Sequence, residues 1–381
     1  MGIPLAVTAR VGAYILSKQL SGVRRYPLVL MLEPLFRCNL ACAGCGKIDY
    51  PDEILNQRLS VAQCLEAIDE CGAPVVSIAG GEPLLHREMP KIVEGFLARR
   101  KFVILCTNAL LLTKKIDQFK PDPFFTWSIH LDGDQMMHDA SVCQDGVYDI
   151  AVKAIKLAKS KGFQANLNCT LFQGAKADRV AAFFDEMKAL GVDGITVSPG
   201  YAYERAPDQD HFLNRTRTKE LFRDIFRQGR GKAWSFTQST MFLDFLAGNQ
   251  AYHCTPWGNP TRNVFGWQRP CYLLGEGYAR TFKELMEETD WEAYGVGNYE
   301  KCADCMVHSG FEASAVADTV KHPLKALGVK LRGVRTEGPM AVDIGLDAQR
   351  PAEFVFSGHV EQRLAEIRAT QPRAKKVARA L

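Results

Sequence analysis

The stretch Leu32-Glu-Pro-Leu-Phe-Arg-Cys38-Asn-Leu-Ala-Cys42-Ala-Gly-Cys45 decides both the fold and the chemistry of this chain. It begins in an apolar segment, residues 28–33, of the kind that forms a buried strand, and it passes directly into three cysteines. A loop of this kind can turn three thiolates toward one iron–sulfur cubane. The next cysteine, Cys64, falls in a predicted helix, so one iron of a four-iron cluster would stay open to a substrate or cofactor. Zinc is the less favoured alternative, because zinc sites more often use two separated cysteine pairs.

Strands and helices alternate along the first half of the chain. Apolar runs predict strands at residues 28–33, 75–79, 102–107, 125–131, 165–171 and 194–198. Apolar residues at helical spacing predict helices at residues 61–71, 89–99, 147–159 and 177–190. The alternation predicts an α/β fold, a partial (β/α)6 barrel with parallel strands. The chemistry of such barrels lies at the carboxyl ends of the strands, which is where the cysteine loop falls.

A second motif, Gly80-Gly81-Glu82-Pro83, follows the second predicted strand. Glycines at a strand end let a ligand approach the backbone, and a carboxylate can accept an ammonium group. By itself the motif is equally well explained as a plain β–α turn.

Polar residues with period two mark the later strands. The third strand ends in Thr107-Asn108, and the next three carry the alternating polar sets Ser128, His130 and Asp132, then Asn166, Asn168 and Thr170, then Thr196 and Ser198. This alternation predicts a barrel interior lined for a ligand. Each of these side chains could equally be a satisfied polar group of the core.

The CxxxCxxC loop and the GGEP turn in this order resemble the signature of the radical S-adenosylmethionine (SAM) superfamily. The resemblance implies that Cys38, Cys42 and Cys45 hold a [4Fe–4S] cluster whose open iron chelates SAM. It also implies that Gly80, Gly81 and Glu82 contact the methionine amine, and that later strand-end residues hold the ribose and carboxylate of SAM, here Asn108, Ser128 and Asn168. One departure is Gly44, where the family usually has an aromatic residue, so adenine packing is expected from Ile48 or Tyr50.

The regular alternation of predicted strands and helices does not continue beyond residue 205. We expect a basic amphipathic segment over residues 1–26, the barrel over residues 27–205, a cysteine-rich C-terminal domain over residues 206–340 and a basic tail over residues 341–381. The C-terminal domain contains Cys254, Cys271 and the pair Cys302 and Cys305, whose spacing suits a metal. An auxiliary iron–sulfur cluster, a zinc site and ordinary buried thiols all remain open.

The composition fits a globular protein of a reducing compartment. Hydrophobic residues make up 47% of the 381 residues, and no apolar run is long enough to span a bilayer. Twelve cysteines without a recognisable secretory signal favour metals or chemistry over disulfides, and a net charge of +4 gives no reason to expect nucleic acid. We expect a cytoplasmic protein. Its basic amphipathic ends are compatible with peripheral contact with the inner face of the membrane, and packed or solvated helices explain them equally well.

The chain as a whole resembles the radical SAM enzymes of hopanoid biosynthesis, the adenosylhopane synthases. The opening Gly2-Ile-Pro-Leu, the cysteine loop, Ile129-His-Leu-Asp-Gly and Cys302-Ala-Asp-Cys305 carry this likeness. It implies that a 5′-deoxyadenosyl radical adds to the alkene of diploptene, a triterpene lipid, with electrons from a donor such as flavodoxin or ferredoxin. The alternative is a peptide or cofactor maturase with an auxiliary cluster, which releases free 5′-deoxyadenosine. Because a saturated adduct needs a hydrogen atom, Cys106 near the end of the third strand is the predicted catalytic donor.

Overall fold

One nine-stranded sheet organises the computed structural model, which describes residues 5–202, 206–352 and 358–370. The strands are β1 (Val29–Leu32), β2 (Val75–Ile78), β3 (Phe102–Thr107), β4 (Phe125–His130), β5 (Gln164–Leu171), β6 (Gly194–Pro199), β7 (Thr261–Asn263), β8 (Gly266–Pro270) and β9 (Gly275–Ala279). Their spatial order is β6-β5-β4-β3-β2-β1-β7-β8-β9. Strands β1 to β6 pair in parallel, so the predicted partial barrel is confirmed.

Helices connect the strands, and several of them pack against the outer face of the sheet. They are α1 (Leu5–Leu20), α2 (Asp52–Leu55), α3 (Val61–Cys71), α4 (Met89–Ala98), α5 (Leu112–Lys115), α6 (Gln135–Ser141), α7 (Val147–Ser160), α8 (Ala177–Leu190), α9 (Arg215–Gln228), α10 (Thr240–Leu246), α11 (Phe282–Glu288), α12 (His308–Lys321), α13 (Pro323–Arg332) and α14 (Gly358–Thr370). Short 3-10 turns lie at Pro83–Leu85, Ile116–Gln118, Pro256–Gly258, Trp291–Ala293 and Glu300–Cys302.

The core lies between the sheet and this helical layer. Strand β5 shows the arrangement most clearly, because its buried residues alternate with half-buried ones. Leu167 and Cys169 are fully buried in the core, whereas Asn168 and Thr170 line a cavity inside the barrel. The polar alternation in the sequence therefore separates the lumen from the core.

The C-terminal half extends the same sheet. Strand β7 pairs in parallel with β1, with Thr261 opposite Met31, and β8 and β9 then add antiparallel strands. No strand was predicted in this part of the chain. The boundaries proposed at residues 205 and 340 stay a prediction, and residues 371–381 of the basic tail lie outside the described residues.

Helix α1 closes the barrel at the amino-terminal ends of the strands. Its Val7 is buried against Val75 and Phe102, which begin β2 and β3. Part of the apolar face that suggested a membrane contact is thus used inside the fold. On the opposite side, Leu16 and Leu20 remain 52% and 80% exposed. Within the described residues, no helix combines the length and apolar character needed to cross a bilayer.

Candidate active site

A cavity of about 820 Å³ runs through the barrel from the cysteine loop to helix α1. All the predicted site residues lie on its wall, namely Cys38, Cys42, Cys45, Gly80, Gly81, Glu82, Cys106, Asn108, Ser128 and Asn168. Because parallel strands end at one edge, residues far apart in sequence meet around this cavity.

The three thiols of the loop are close enough to interact electrostatically with one another. Burial raises the pKa of Cys38 to about 11 and raises the pKa of Cys42 and Cys45 as well. Without a cation, these buried thiols would therefore stay protonated. The Asn108 side-chain amide lies 3.7 Å from Cys38 Sγ and can donate to it. Three converging thiols fit a cubane bound through three irons, with the fourth iron open.

The two glycines of the GGEP turn pack against the base of the cysteine loop. A Cβ on Gly81 would lie 2.1 Å from the carbonyl oxygen of Arg37, and a Cβ on Gly80 would lie 2.3 Å from that of Leu35. The amides of Gly81 and Glu82 donate to the same two carbonyls, at 3.0 and 2.9 Å. The sequence analysis explained these two glycines by the close approach of a ligand to the backbone. The structure adds that the cluster loop itself occupies this space.

Glu82 is almost fully buried and joins three chain segments. Its Oε1 accepts from the Leu84 amide and the Thr107 hydroxyl, and its Oε2 accepts from the Asn108 amide, each at 2.9 Å. Burial raises the pKa of this carboxyl, and these hydrogen bonds oppose that rise. A carboxylate has about four acceptor sites, so Oε2 can still accept from an ammonium group in the cavity.

Cys106 faces the lumen, which its sequence pattern left ambiguous. Its Sγ lies 3.7 Å from the Ser77 hydroxyl and is also hydrogen-bonded by Ser128. On the same face of β3, Phe102 and Ile104 lie toward α1, and Asn108 lies toward the cysteine loop. Cys106 thus separates an apolar end of the cavity from the end that holds the thiols.

The ring of Phe172, the residue that follows β5, fills the space beside Gly44. A Cβ on Gly44 would lie 2.9 Å from the Phe172 ring, which stacks on His211 at 4.1 Å between centroids. Phe172 and Ile48 line the cavity. Tyr50 instead stacks on Phe36 at 5.1 Å in the core, so the proposal of Tyr50 for adenine packing is not supported. Sequence reasoning missed Phe172 because only the fold brings it to Gly44.

A second polar group, His130, Asp132 and His138, lies beside the thiols. Its ligand-type atoms all fall within 4.8 Å of one another. Asp132 Oδ2 accepts from His130 Nε2 at 2.8 Å and from Ser141 at 2.7 Å, and Oδ1 accepts from the Thr170 amide. The alternating polarity of the sequence predicted that His130 and Asp132 face the lumen, but it did not predict their contact with α6. Asp132 joins the ends of β4 and β5 to α6.

The four C-terminal cysteines also come together. Cys254 interacts electrostatically with Cys271, Cys302 and Cys305. Cys64 and Cys71 lie apart in α3, and Cys143 is exposed on a loop.

Comparison with known protein families decides the assignment of this barrel. Residues 32–187 match the model of the Radical SAM superfamily. By this match, the barrel over residues 32–187 is a radical SAM domain. The [4Fe–4S] cluster and SAM are accordingly its cofactors, and the cluster supplies the electron that cleaves SAM. Residues 195–329 match a second model, described as a domain of unknown function (DUF3463), which covers the C-terminal cysteines.

The chain is similar to curated proteins of three different names. Pre-heme d1 synthase of Dinoroseobacter shibae is 28% identical over 70% of this chain and 69% of its own length. GTP 3′,8-cyclase of Listeria welshimeri is 28% identical over 43% of this chain and 52% of its own, so the chain spans about half of that relative. Mycofactocin maturase MftC of Mycolicibacterium smegmatis is 31% identical over 36% of each chain. None of these three is a hopanoid enzyme.

Solved structures support the fold. SuiB of Streptococcus suis superposes with a TM-score of 0.54 at 15% identity, covering 68% of this chain and 63% of its own. The enzyme anSMEcpe, with bound AdoMet, superposes with a TM-score of 0.52 at 17% identity, covering 81% and 96%.

Proposed function

We propose that this radical SAM enzyme transfers the 5′-deoxyadenosyl group of SAM to the terminal alkene of an apolar lipid, diploptene, and so forms adenosylhopane. The observation that carries the proposal is the apolar end of the cavity. Its wall is formed by Val29, Met31, Val75, Phe102 and Ile104 of the first three strands, by Val7, Val11 and Ile15 of α1, and by Val316 and Val320 of α12. A cavity of about 820 Å³ has room for an apolar molecule beside SAM, since small-molecule sites span roughly 300–1,000 Å³.

The residues along the cavity give each end a role. The thiols of Cys38, Cys42 and Cys45 hold the cluster, and Glu82 and Asn108 bind SAM beside it. The apolar end excludes water and holds the hydrocarbon, which binds there by the hydrophobic effect. The alkene then meets the adenosyl radical at the level of Cys106.

Cys106 completes the reaction in this proposal. The adenosyl C5′ radical forms a bond to the terminal alkene carbon, and the unpaired electron moves to the neighbouring carbon. The Cys106 S–H bond breaks and its hydrogen atom saturates that carbon, which leaves a sulfur radical. One electron from an external flavodoxin or ferredoxin and one proton from solvent restore the thiol. Burial raises the pKa of Cys106, so the thiol keeps the proton that this step needs.

Because the proposed substrate is a lipid, we also expect the enzyme to contact a membrane. Leu324 and Leu331 of α13 are 83% and 78% exposed, and Leu20 of α1 is 80% exposed. Helices α1 and α12 line the apolar end of the cavity, and α13 follows α12 directly. Lys18, Lys321, Lys330 and Arg332 lie in the last turns of α1, α12 and α13. We propose that this surface rests on an anionic membrane, from which the lipid enters.

The relatives favour a second candidate, a maturase that acts on a peptide or cofactor precursor and releases 5′-deoxyadenosine. The polar walls at β5 and β6, with Asn168, Thr170 and Thr196, would suit such a substrate.

Anaerobic turnover with SAM labelled in the adenosyl group, a reductant and diploptene separates the two candidates. Label in a lipid-soluble adduct supports adenosyl transfer. Label found only in free 5′-deoxyadenosine, in the presence of diploptene, would contradict it and favour the maturase.

A further inference from the structure

We propose that an arginine-lined pocket at the tip of the β7–β8 hairpin is the docking site of an acidic one-electron donor protein of the flavodoxin type. The donor bound there gives up one electron and the cluster at Cys38, Cys42 and Cys45 gains it, with no transfer of a proton or group. The proposal assigns a partner surface to the radical SAM domain and does not rest on the proposed adenosyl transfer.

The pocket has a volume of about 230 Å³ and lies between three parts of the chain. Residues 57–59, the hairpin tip at Val264 and Phe265, and α14 contribute to its wall. Four of the wall residues are arginines: Arg58, Arg262, Arg280 and Arg363. None of the described residues on this wall is an aspartate or a glutamate. A guanidinium stays protonated and can hold a carboxylate through two parallel hydrogen bonds, so the pocket suits carboxylates from outside the chain.

Several of these guanidinium groups have no partner within the chain. Arg58 and Arg280 are exposed, and in the part of the chain that the structure describes their side chains form no hydrogen bond and no ion pair. Arg262 and Arg363 are half-buried. Arg363 donates to Glu366 at 2.9 Å, but its buried Nε has no partner among the described residues. Unused donors that converge on one pocket are what an incoming anion requires.

Two sides of the pocket rest on the segment that carries Cys38. On one side, the Leu59 amide donates to the carbonyl oxygen of Pro34 at 2.8 Å. On the other side, the centroid of the Phe265 ring lies 5.7 Å from that of the Phe36 ring. Phe36 is two residues before Cys38, so their Cα atoms lie within about 7 Å of each other. An electron that enters at this pocket therefore has a short path through packed side chains to the first cluster ligand.

Hydrogen bonds fix the pocket relative to the cysteine loop. The Arg37 guanidinium, beside Cys38, donates to Asp52 at 3.1 Å and to Asn56 at 2.8 Å, directly before the pocket residues 57–59. At the end of β7, the side-chain amide of Asn263 lies 3.3 Å from a Glu33 carboxylate oxygen. A protein bound in the pocket is thus held at one distance from the cluster.

Charge and exposure together favour a protein over a small anion. The half-buried pair Arg262 and Arg363 would be enough for a small anion, whereas Arg58 and Arg280 extend the positive surface into solvent. Charges at the rim of an interface steer the approach of an oppositely charged protein. SAM cleavage needs an external one-electron reductant, and donors of the flavodoxin type are acidic proteins. The pocket matches such a donor in charge and lies beside the loop that must be reduced.

The first test measures binding to the full chain, purified anaerobically with its cluster. Arg58→Glu/Arg280→Glu should raise the dissociation constant for oxidised flavodoxin by about tenfold or more, because two attractive charges become repulsive. Calorimetry at low ionic strength measures this constant. The control Lys153→Glu/Lys156→Glu makes the same change of charge on the exposed face of α7 and should keep the wild-type affinity. Equal losses in both variants, or no loss in either, would contradict the proposal.

The second test measures SAM cleavage with two reductants. With flavodoxin below saturation, Arg58→Glu/Arg280→Glu should cleave SAM about tenfold more slowly than the wild type. With dithionite, which needs no docking site, the two rates should be equal. A loss of the same size with dithionite would show that these arginines support the fold, and the proposal would be wrong.

Inorganic phosphate tests the small-anion alternative. If Arg58→Glu/Arg280→Glu loses calorimetric binding of phosphate but keeps the wild-type affinity for flavodoxin, the pocket is a small-anion site and the proposal is overturned. None of these measurements uses an alkene. Their failure would leave the proposed adenosyl transfer standing, and the absence of an adenosyl adduct would leave the docking site standing.

Discussion

The Sγ of Cys106 lies 3.7 Å from the Oγ of Ser77, and both side chains face the cavity from adjacent parallel strands. Cys169, one strand beyond Ser128, is fully buried on the other face of the sheet. These two cysteines are therefore a matched pair, one inside the barrel and one outside it.

Replacing Cys106 tests the hydrogen-atom donor. In Cys106→Ala, the cluster and SAM cleavage should remain, because the thiol is not a cluster ligand, and the saturated adduct should fall by about tenfold or more. Chromatography and mass spectrometry would follow the adduct and any unsaturated products. Cys169→Ala, which removes a buried thiol outside the lumen, should keep the normal product. A normal yield of the saturated adduct from Cys106→Ala would rule out this role.

Replacing Glu82 tests SAM binding. Glu82→Gln keeps the size of the side chain and removes its charge, so SAM affinity should fall on the order of tenfold or more, given about 1.5–3 kcal/mol for a charge-assisted bond. Calorimetry measures affinity, and absorbance checks the cluster. Thr107→Val is the control, because it removes one of the hydrogen bonds to Glu82 but keeps the charge. Equal losses in both variants would indicate that Glu82 acts only by joining strand ends.

Much of this site follows from local sequence patterns. The cysteine loop and the GGEP turn each lie within a few residues of a strand end, and the period-two polarity of β5 predicts which residues face the lumen. Strand β3 carries no such signal, because both faces of Phe102–Leu105 are apolar. Only the pairing of Ser77 and Ser128 around Cys106 reveals that Cys106 points inward.

Long-range contacts account for what the sequence did not reveal. Phe172 reaches Gly44 across the barrel, and β7 joins β1 although residues 31 and 261 are far apart in the chain. β7 has three residues, too few for a period to be visible. The spacing of Cys302 and Cys305 suggested a metal, but only the fold brings Cys254 and Cys271 to them.

The contact between Phe172 and Gly44 gives a third prediction. If the Phe172 ring packs against the adenine of SAM, Phe172→Ala should weaken SAM binding by about 0.5–1.5 kcal/mol or more, with iron content unchanged. Phe212→Ala removes the neighbouring ring, whose centroid lies 6.0 Å from that of Phe172, and should have the smaller effect. Calorimetric titration with SAM measures both. A larger loss in Phe212→Ala would place the adenine elsewhere.

The exposed leucines of α13 give a fourth prediction. Leu324→Glu/Leu331→Glu should reduce co-sedimentation with anionic vesicles, because two charges replace apolar contacts with the bilayer. Turnover of vesicle-bound alkene should fall together with vesicle binding, while SAM cleavage stays near its normal rate. Val342→Glu is the control, because Val342 is 90% exposed and lies outside both helices. Unchanged vesicle binding in the double variant would remove α13 from the proposed membrane surface.

A buried carboxyl on the cavity wall makes stability depend on pH. Oε1 of Glu312 accepts from the Ser239 amide at 2.7 Å, and Oε2 has no partner among the described residues. Burial raises the pKa of Glu312 to about 7. The folded chain therefore holds this proton more tightly than the unfolded chain. The resulting stability is complete below the unfolded pKa of about 4.3 and is lost as the pH rises through about 7.

Glu312→Gln removes this titration and keeps the shape of the side chain. The free energy of unfolding of Glu312→Gln minus that of the wild type should rise by roughly 1–3 kcal/mol from pH 5 to pH 8, because only the wild type must ionise a buried group in this range. Anaerobic denaturant unfolding at both pH values measures the difference. Glu94→Gln, on the exposed face of α4, is the control and should show little change. A difference between Glu312→Gln and the wild type that is the same at both pH values would show that Glu312 does not titrate in this range.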